Sequence, residues 1–388
     1  MKKNNNMKIG IDIRLIGKQR TGDEVVFFNL VKNLAKLDEN NEYVLFADAG
    51  QVAISNEITK RLEINAKNNF QIAFLKTSNK FLWNFWTLPN YLRVNPVDVY
   101  LTQYITPFLV SKKIKIITIV HDISFNFFGQ FIKFKDLFFL KTLIPLSLRR
   151  ADVVVGVSEF TKNEIIKFYN IDPDKVDFVH NAIGDEFFEN KIEKEEIEKV
   201  AEKYGLPEKF ILYMGTLQPR KNIGQLIAAF ARITERLPET KLVLCGSRSG
   251  HNFDKEIDRA IAVNALDGKV IFAGFVDEKD KAAVFAAANV FVFPSLYEGF
   301  GIPVLEAMSQ SVPVLASDIP SLKEVAQDGA EYFNINNLDD FAEKLYNISI
   351  NNDVRSGLIQ VGHQRISFFS WEKSAKKFLA IFEKLRHN

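Results

Sequence analysis

The chain has 388 residues, a formal charge of +2 and a single cysteine, Cys245. One core rarely grows beyond about 250–300 residues, so two domains are expected. The near-neutral charge gives no footprint for nucleic acid, and one cysteine excludes an intrachain disulfide and fits a reducing, cytoplasmic setting. The apolar run after the basic start Met1–Lys8 is too short for a signal-peptide core, and no stretch of about 18 apolar residues suggests a membrane-spanning helix.

Lys8–Ile13 reads as the first strand, and Glu24–Leu37 follows with helical spacing of Val25, Phe28, Leu30, Val31 and Leu34. Glu42–Phe46, Phe70–Phe74, Val97–Leu101, Ile114–Val120 and Asp152–Val157 are strand-like. The continuous apolar character of Ile116–Val120 and Val153–Val157 is that of strands covered on both faces, as in a parallel sheet. Ser158 is placed to cap a helix reaching Tyr169.

A second series begins after the charged stretch Glu189–Lys203. Strands at Phe210–Met214, Lys241–Leu244, Val270–Phe272, Val290–Phe293 and Val312–Ala316 alternate with helices at Ile223–Leu237, Asp254–Asn264, Asp277–Ala288, Ile302–Ser309, Ser321–Gln327 and Leu338–Ile350. The tail from Trp371 to Phe382 is an amphipathic helix with Ser370 as its cap. Two rounds of strand and helix predict an α/β protein of two Rossmann-like, doubly wound parallel-sheet domains, parted near residues 187–208 and facing each other across a cleft.

The main candidate site follows strand Val290–Phe293: Glu298-Gly-Phe-Gly-Ile-Pro-Val-Leu-Glu306. Gly299 and Gly301 flank Phe300 at a helix entry, with Pro303 in the first turn. Such an entry offers backbone N–H groups and the positive end of a helix dipole to a phosphate or a polarised sugar oxygen. Carboxylates are poor phosphate ligands, so Glu298 and Glu306 suit hydroxyls of a ribose or a hexose. Taken alone, the glycines serve a turn and the glutamates a solvated face, and that plain reading would win. The loop Gly215-Thr-Leu-Gln-Pro-Arg-Lys-Asn222, at the matching end of the first strand of this domain, weighs toward function: Arg220 supplies a planar fork and Lys221 a point charge for a diphosphate.

With these loops on the page, the chain resembles the family-4 retaining glycosyltransferases of GT-B fold, in a mannosyltransferase-like branch. Glu298 to Glu306 matches their E-x7-E signature, and the resemblance also runs through Thr118–Asp122, Arg150–Phe160, Val179–Asn181, Gly215–Asn222, Leu244–Gly246, Gly274–Val276 and Phe369–Glu372. It implies an acceptor-side domain at 1–187, a linker at 188–207, a nucleotide-sugar domain at 208–365 and a C-terminal helix at 366–388 crossing back to the first domain. It further implies that Arg220 and Lys221 neutralise the donor diphosphate and that Glu306 holds the ribose. Glu298 with the backbone of Gly299, Phe300 and Gly301 would hold the sugar. The backbone of Val276 would meet the base, His121 would face the transferred sugar, and Gly22 would approach the phosphates. The implied reaction moves a hexosyl unit of mannose or glucose type from a nucleoside-diphosphate sugar to a glycan or lipid-linked acceptor, with retention. No metal or other cofactor is implied, and the setting is the cytoplasm or the inner face of the membrane.

Two departures bear on this. Thr216 stands where the family often has Arg, with Arg220 nearby as a replacement charge. The first loop, Thr21-Gly22-Asp23-Glu24, holds one glycine and two acids where a glycine pair is usual. Asp172-Pro-Asp174 forms a D-x-D string in a turn context rather than a metal motif. His180, His251, His363 and His387 lack metal-ligand spacing, and Cys245 suits inert packing. The aromatic and basic segment 125–150 reads in two ways: as a surface touching anionic membrane, or as a helix packed on the sheet with solvated lysines. Trp83 and Trp86 are core or sugar platform. A dehydrogenase is disfavoured by the absence of G-x-G-x-x-G after the first strand, and an NTPase by the absence of a P-loop. A non-catalytic sugar-nucleotide binder, an epimerase or a phosphorylase remain as rivals on the same fold.

Overall fold

The computed structural model describes residues 6–17, 22–77, 82–188, 192–249 and 252–387. The chain divides into two compact units: residues 1–127, 133–181 and 370–388 in the first, and 128–132 with 182–369 in the second.

The first unit is built on a parallel seven-stranded sheet in the order β3-β2-β1-β4-β5-β6-β7. Its strands are β1 (Lys8–Asp12), β2 (Glu42–Asp48), β3 (Phe70–Leu75), β4 (Val99–Gln103), β5 (Lys115–Val120), β6 (Val153–Gly156) and β7 (Val176–Phe178). Its helices are α1 (Gly22–Leu37), α2 (Ser55–Arg61), α3 (Leu88–Val94), α4 (Phe134–Arg150) and α5 (Glu159–Tyr169). Ser158 caps α5 as expected, its side chain accepting from the Thr161 amide. The C-terminal helix, Trp371–Arg386, packs on α1 through buried Trp371, Ala375, Phe378 and Phe382.

The second unit has a parallel six-stranded sheet in the order β10-β9-β8-β11-β12-β13. Its strands are β8 (Phe210–Met214), β9 (Lys241–Cys245), β10 (Val270–Gly274), β11 (Val290–Phe293), β12 (Val314–Ser317) and β13 (Ala330–Phe333). Its helices are α6 (Lys194–Tyr204), α7 (Ile223–Ile233), α8 (Glu256–Val263), α9 (Lys281–Ala287), α10 (Ile302–Ser309), α11 (Pro320–Ala326), α12 (Leu338–Ile350) and α13 (Asn352–Ile366); the C-terminal helix is α14. Every residue of β8 and β11 is buried, which is why both read as unbroken apolar runs rather than alternating ones. The core of this unit joins Ile211, Leu242, Phe230 and Leu345, with the rings of Phe333 and Phe341 stacked at 3.6 Å.

Three readings from sequence change here. The expected linker region at 188–207 contains a helix of the second unit at Lys194–Tyr204. This helix is α6, and its Lys203 and Tyr204 side chains bond to Asp280 in the same unit. The division falls after Asn181, because Ala182 onward packs with the second unit, where Phe187 is buried against Phe285. The return to the first unit begins at Ser370 rather than at 366.

In both sheets the strand order reverses once, between β1 and β4 and between β8 and β11. Loops leaving the carboxyl ends at such a reversal diverge to opposite faces of the sheet and leave a crevice for ligands.

Candidate functional site

In the second unit the two loops singled out from sequence leave the two strands that flank this reversal, β8 and β11. The β8 loop is held low by a close crossing. The Gly215 amide donates to the Cys245 carbonyl at 3.0 Å, and a Cβ on Gly246 would lie 2.2 Å from the Gly215 carbonyl oxygen, so only glycine fits at 246. A short 3₁₀ turn, Pro219–Lys221, then presents the two cations. Asn222 ends it in the left-handed region, at φ 57°, before α7 starts.

The two loops are joined at main chain and side chain. The Leu296 amide donates to the Arg220 carbonyl at 2.9 Å. The Arg220 guanidinium donates to the Tyr297 carbonyl and lies 3.4 Å from Glu298 Oε2. Lys221 Nζ lies 2.5 Å from Glu298 Oε1 and 5.1 Å over the Phe293 ring. Glu298 is 8% exposed. Burial alone raises the pKa of such a carboxyl, but the charges of Lys221 and then Arg220, with hydrogen bonding, outweigh it and hold its pKa at about 2. Beneath them the buried Tyr213 hydroxyl donates to the Thr216 carbonyl at 2.8 Å, and burial, then the negative charge of Glu298, push its pKa up. The three charged groups form one triad with a net single positive charge.

The helix entry admits only glycine at 301. Gly301 sits at φ 110°, and a Cβ there would come within 2.6 Å of Leu322 Cδ2. No side chain caps α10, and Pro303 occupies its first turn. The Phe300 ring is buried against Phe369 at 5.5 Å, so only the backbone of Phe300 is offered to a ligand. Glu306, on α10, is buried, with Oε1 4.0 Å from Lys281 Nζ, which also pairs with Glu278 at 2.9 Å. The two glutamates of the signature are thus held by different cations, Glu298 by the β8 loop and Glu306 by the start of α9.

Val276 follows β10 and is buried. The turn that carries it is fastened from α6. Asp277 donates its amide to the Tyr204 hydroxyl at 3.0 Å, and that hydroxyl donates to Asp280 Oδ2 at 2.8 Å. Lys203 Nζ bridges Asp277 at 2.7 Å and Asp280 at 2.5 Å. Sequence reasoning passed over Lys203, Tyr204 and Lys281. Only pairing in space marks them, since each is a common helix residue far in sequence from its partner.

In the first unit His121 stands at the carboxyl end of β5. Its Nε2 lies 2.7 Å from Gln103 Oε1, at the end of the neighbouring β4, and 3.8 Å from Asp23 Oδ1. The Tyr104 ring is 5.6 Å away. The neighbouring Asp122 carboxylate accepts from the Ser124 amide and hydroxyl, which fixes the turn. Gln103 was not singled out beforehand; its place at the tip of the strand hydrogen-bonded to β5 is the signal for it. Gly22 is the first residue of α1, and a Cβ there would meet nothing within 4 Å. Thr21 lies outside the described residues. The two acids of this loop differ: Asp23 faces His121, whereas Glu24 is buried and accepts from the Gly17 amide at 2.9 Å.

The set-aside groups fall into place individually. Asp172 caps the 3₁₀ turn Pro173–Lys175 by accepting from the Asp174 amide at 3.1 Å. Cys245 is buried, and burial pushes its thiol up to about 12. Trp83 is fully buried with the Arg14 guanidinium 4.2 Å from its ring centre, while Trp86 is exposed. His251 lies outside the described residues.

Comparisons with known proteins bear on the family and the fold. Residues 193–365 match the family described as Glycosyl transferases group 1, and residues 20–187 match Glycosyltransferase Family 4. An O-antigen chain mannosyltransferase B of Escherichia coli is 27% identical over 98% of this chain and 100% of its own length. Among solved structures, a glycosyltransferase from Rickettsia africae is similar with a TM-score of 0.72 at 21% identity, covering 99% of this chain and 100% of that one. The Anabaena protein HepE, solved with UDP and glucose, also gives 0.72, at 16% identity over 98% of this chain and 100% of that one. At such identities the structural likeness speaks for the fold.

Proposed function

The chain belongs to glycosyltransferase family 4, and on that premise we propose that it moves a hexosyl unit of mannose or glucose type from a nucleoside-diphosphate sugar to a hydroxyl of a growing glycan or lipid-linked acceptor, with retention of configuration. The observation that carries the reading is the Arg220–Glu298–Lys221 triad joining the two loops at the β8/β11 reversal. A diphosphate leaving group builds up negative charge as the glycosidic bond breaks. Two cations fixed in place beforehand stabilise that charge without reorganising, and each well-aimed donor contributes about 3–4 kcal/mol to the transition state. The uncapped entry of α10 adds its dipole, so the charge chemistry needs no metal.

Glu306 accepts the ribose hydroxyls, and the Val276 backbone meets the base. Glu298 serves the sugar hydroxyls with the backbone of Gly299, Phe300 and Gly301, while also orienting Lys221 and Arg220. Gly22 approaches the phosphates. No carboxylate is assigned as a covalent nucleophile. The departing phosphate takes the acceptor proton on the face it leaves, and His121, oriented by Gln103, stabilises the sugar. The relative is named for mannosyl transfer in an O-antigen chain, which supports a polysaccharide acceptor.

The test is calorimetric titration of nucleotide sugars with Glu306→Ala. Loss of donor affinity by roughly tenfold or more, as expected for a lost charged hydrogen bond, supports the ribose role; unchanged affinity sinks it.

A further inference from the structure

Helix α4 buries a narrow stripe and exposes a broad one. Ile144, Ser147 and Leu148 face inward, and the Ser147 hydroxyl accepts from the Thr106 amide at 3.1 Å. The opposite face carries Phe134 at 82% exposure, Phe138 at 58%, Phe139 at 40% and Leu146 at 47%. At about 100° per residue, Lys135, Lys141 and Arg149 fall on this same face, and all three are exposed. The helix has one acid, Asp136, and it falls on the other side of the wheel. A water-facing helix normally mixes charges and keeps aromatic rings inside. This one offers three rings and a leucine among cations alone.

We propose that this face of α4 docks on an anionic lipid bilayer, the rings entering the boundary between headgroups and acyl chains and the cations pairing with lipid phosphates. The chemistry fits that partner on both counts: aromatic and aliphatic side chains partition into the interface, and a one-sign cluster is drawn to a negative surface. No helix among the described residues is long and apolar enough to cross a membrane, so this is attachment in the interface plane. The segment 125–150, open to two readings from sequence, is thereby divided. The stripe at Ile144, Ser147 and Leu148 packs on the protein, and the stripe at Phe134, Phe138 and Leu146 is the lipid face. The inference stands apart from the donor reading, because binding is measured without donor.

The experiment is co-sedimentation of the full chain with vesicles of phosphatidylcholine alone or containing phosphatidylglycerol, at low and high salt. The expected result is binding to the anionic vesicles, weakened by salt. Lys135→Ala with Lys141→Ala should weaken it roughly thirtyfold, the loss of two surface charges. Phe134→Ser with Phe138→Ser should weaken it by about tenfold or more. Both double variants should keep the wild-type melting temperature and turnover on a soluble acceptor, since the changed side chains are exposed. Equal binding to neutral vesicles would overturn the proposal, as would variants that bind like wild type. A dimer in sedimentation velocity that the phenylalanine changes dissolve, without vesicle binding by the wild type, would overturn it in favour of a second copy as the partner.

Discussion

The loops at the two strand-order reversals solve the same problem with different forces. Those of the second unit are closed by charge: Lys221 and Arg220 from one strand end hold Glu298 from the other. At the first unit's reversal the partners are shorter-range and mostly neutral. Gln103 takes His121 at 2.7 Å, Glu24 turns inward to the Gly17 amide, and Asp23 stays 3.8 Å from the imidazole. Charge closure makes a rigid, electrostatically pre-set site, suited to an anion of constant chemistry. Neutral closure leaves a surface that side-chain changes retune easily, suited to a partner that varies from one relative to another.

The sharpest way to break this contrast is Lys221→Ala. If the triad is pre-set for a diphosphate, kcat/KM for a nucleotide sugar should fall by about 10²–10³. The change also strands part of a buried carboxylate, so stability should drop, by up to ~3–5 kcal/mol. Adding Glu298→Gln removes the stranded charge. The pair should regain melting temperature but not turnover. Recovery of both would mean that Lys221 serves only to balance Glu298.

The same triad predicts a pH signature. Glu298 ionises at about 2 in the folded chain against an ordinary 4.5. Its ionised form therefore stabilises the fold above about pH 4.5, and that stability is lost as pH falls through about 2, because the unfolded carboxyl binds its proton first. The difference amounts to ~3 kcal/mol. Denaturant titrations across this window should show a steeper loss in the wild type than in Glu298→Gln; parallel curves would mean the pairs do not form in solution.

The contrast also explains what sequence could reveal. The charged loops were legible because their residues sit in short strings, Gly215–Asn222 and Glu298–Glu306, each after an unmistakable strand. The helices α6 and α13 were not. α13 buries only Gly362 and so carries no apolar stripe to detect, and α6, with four glutamates and three lysines in eleven residues, reads as solvated linker until Lys203 and Tyr204 find Asp277 and Asp280. β7 is three residues long with Asp177 at its centre, too short for a periodic signal. Gln103 is an unremarkable residue in sequence, and it matters only because β4 pairs with β5 and their tips lie side by side.

Gln103→Leu probes the neutral closure. Losing the bond that orients His121 should lower kcat by about tenfold, one hydrogen bond's worth, while leaving nucleotide affinity unchanged. A change in nucleotide affinity instead would place His121 outside the sugar-facing role. Gln103→Glu should retain more activity than leucine, since it restores an acceptor at the same reach.

The smallest effect is expected at Tyr204→Phe, which asks whether the second unit is pre-set beyond its charges. The phenol is half exposed and replaces nothing in the site. It joins the Asp277 amide to the Asp280 carboxylate and so fixes the turn after β10 that carries Val276. Removing it deletes two hydrogen bonds but leaves Lys203 bridging the same two aspartates. Nucleoside-diphosphate affinity should weaken by roughly fivefold, about 1 kcal/mol. Inhibition by inorganic pyrophosphate should not move, because the triad at Glu298 is untouched. A loss felt equally by pyrophosphate would mean that the turn supports the whole unit rather than the base, and that electrostatic pre-setting is confined to Arg220, Lys221 and Glu298.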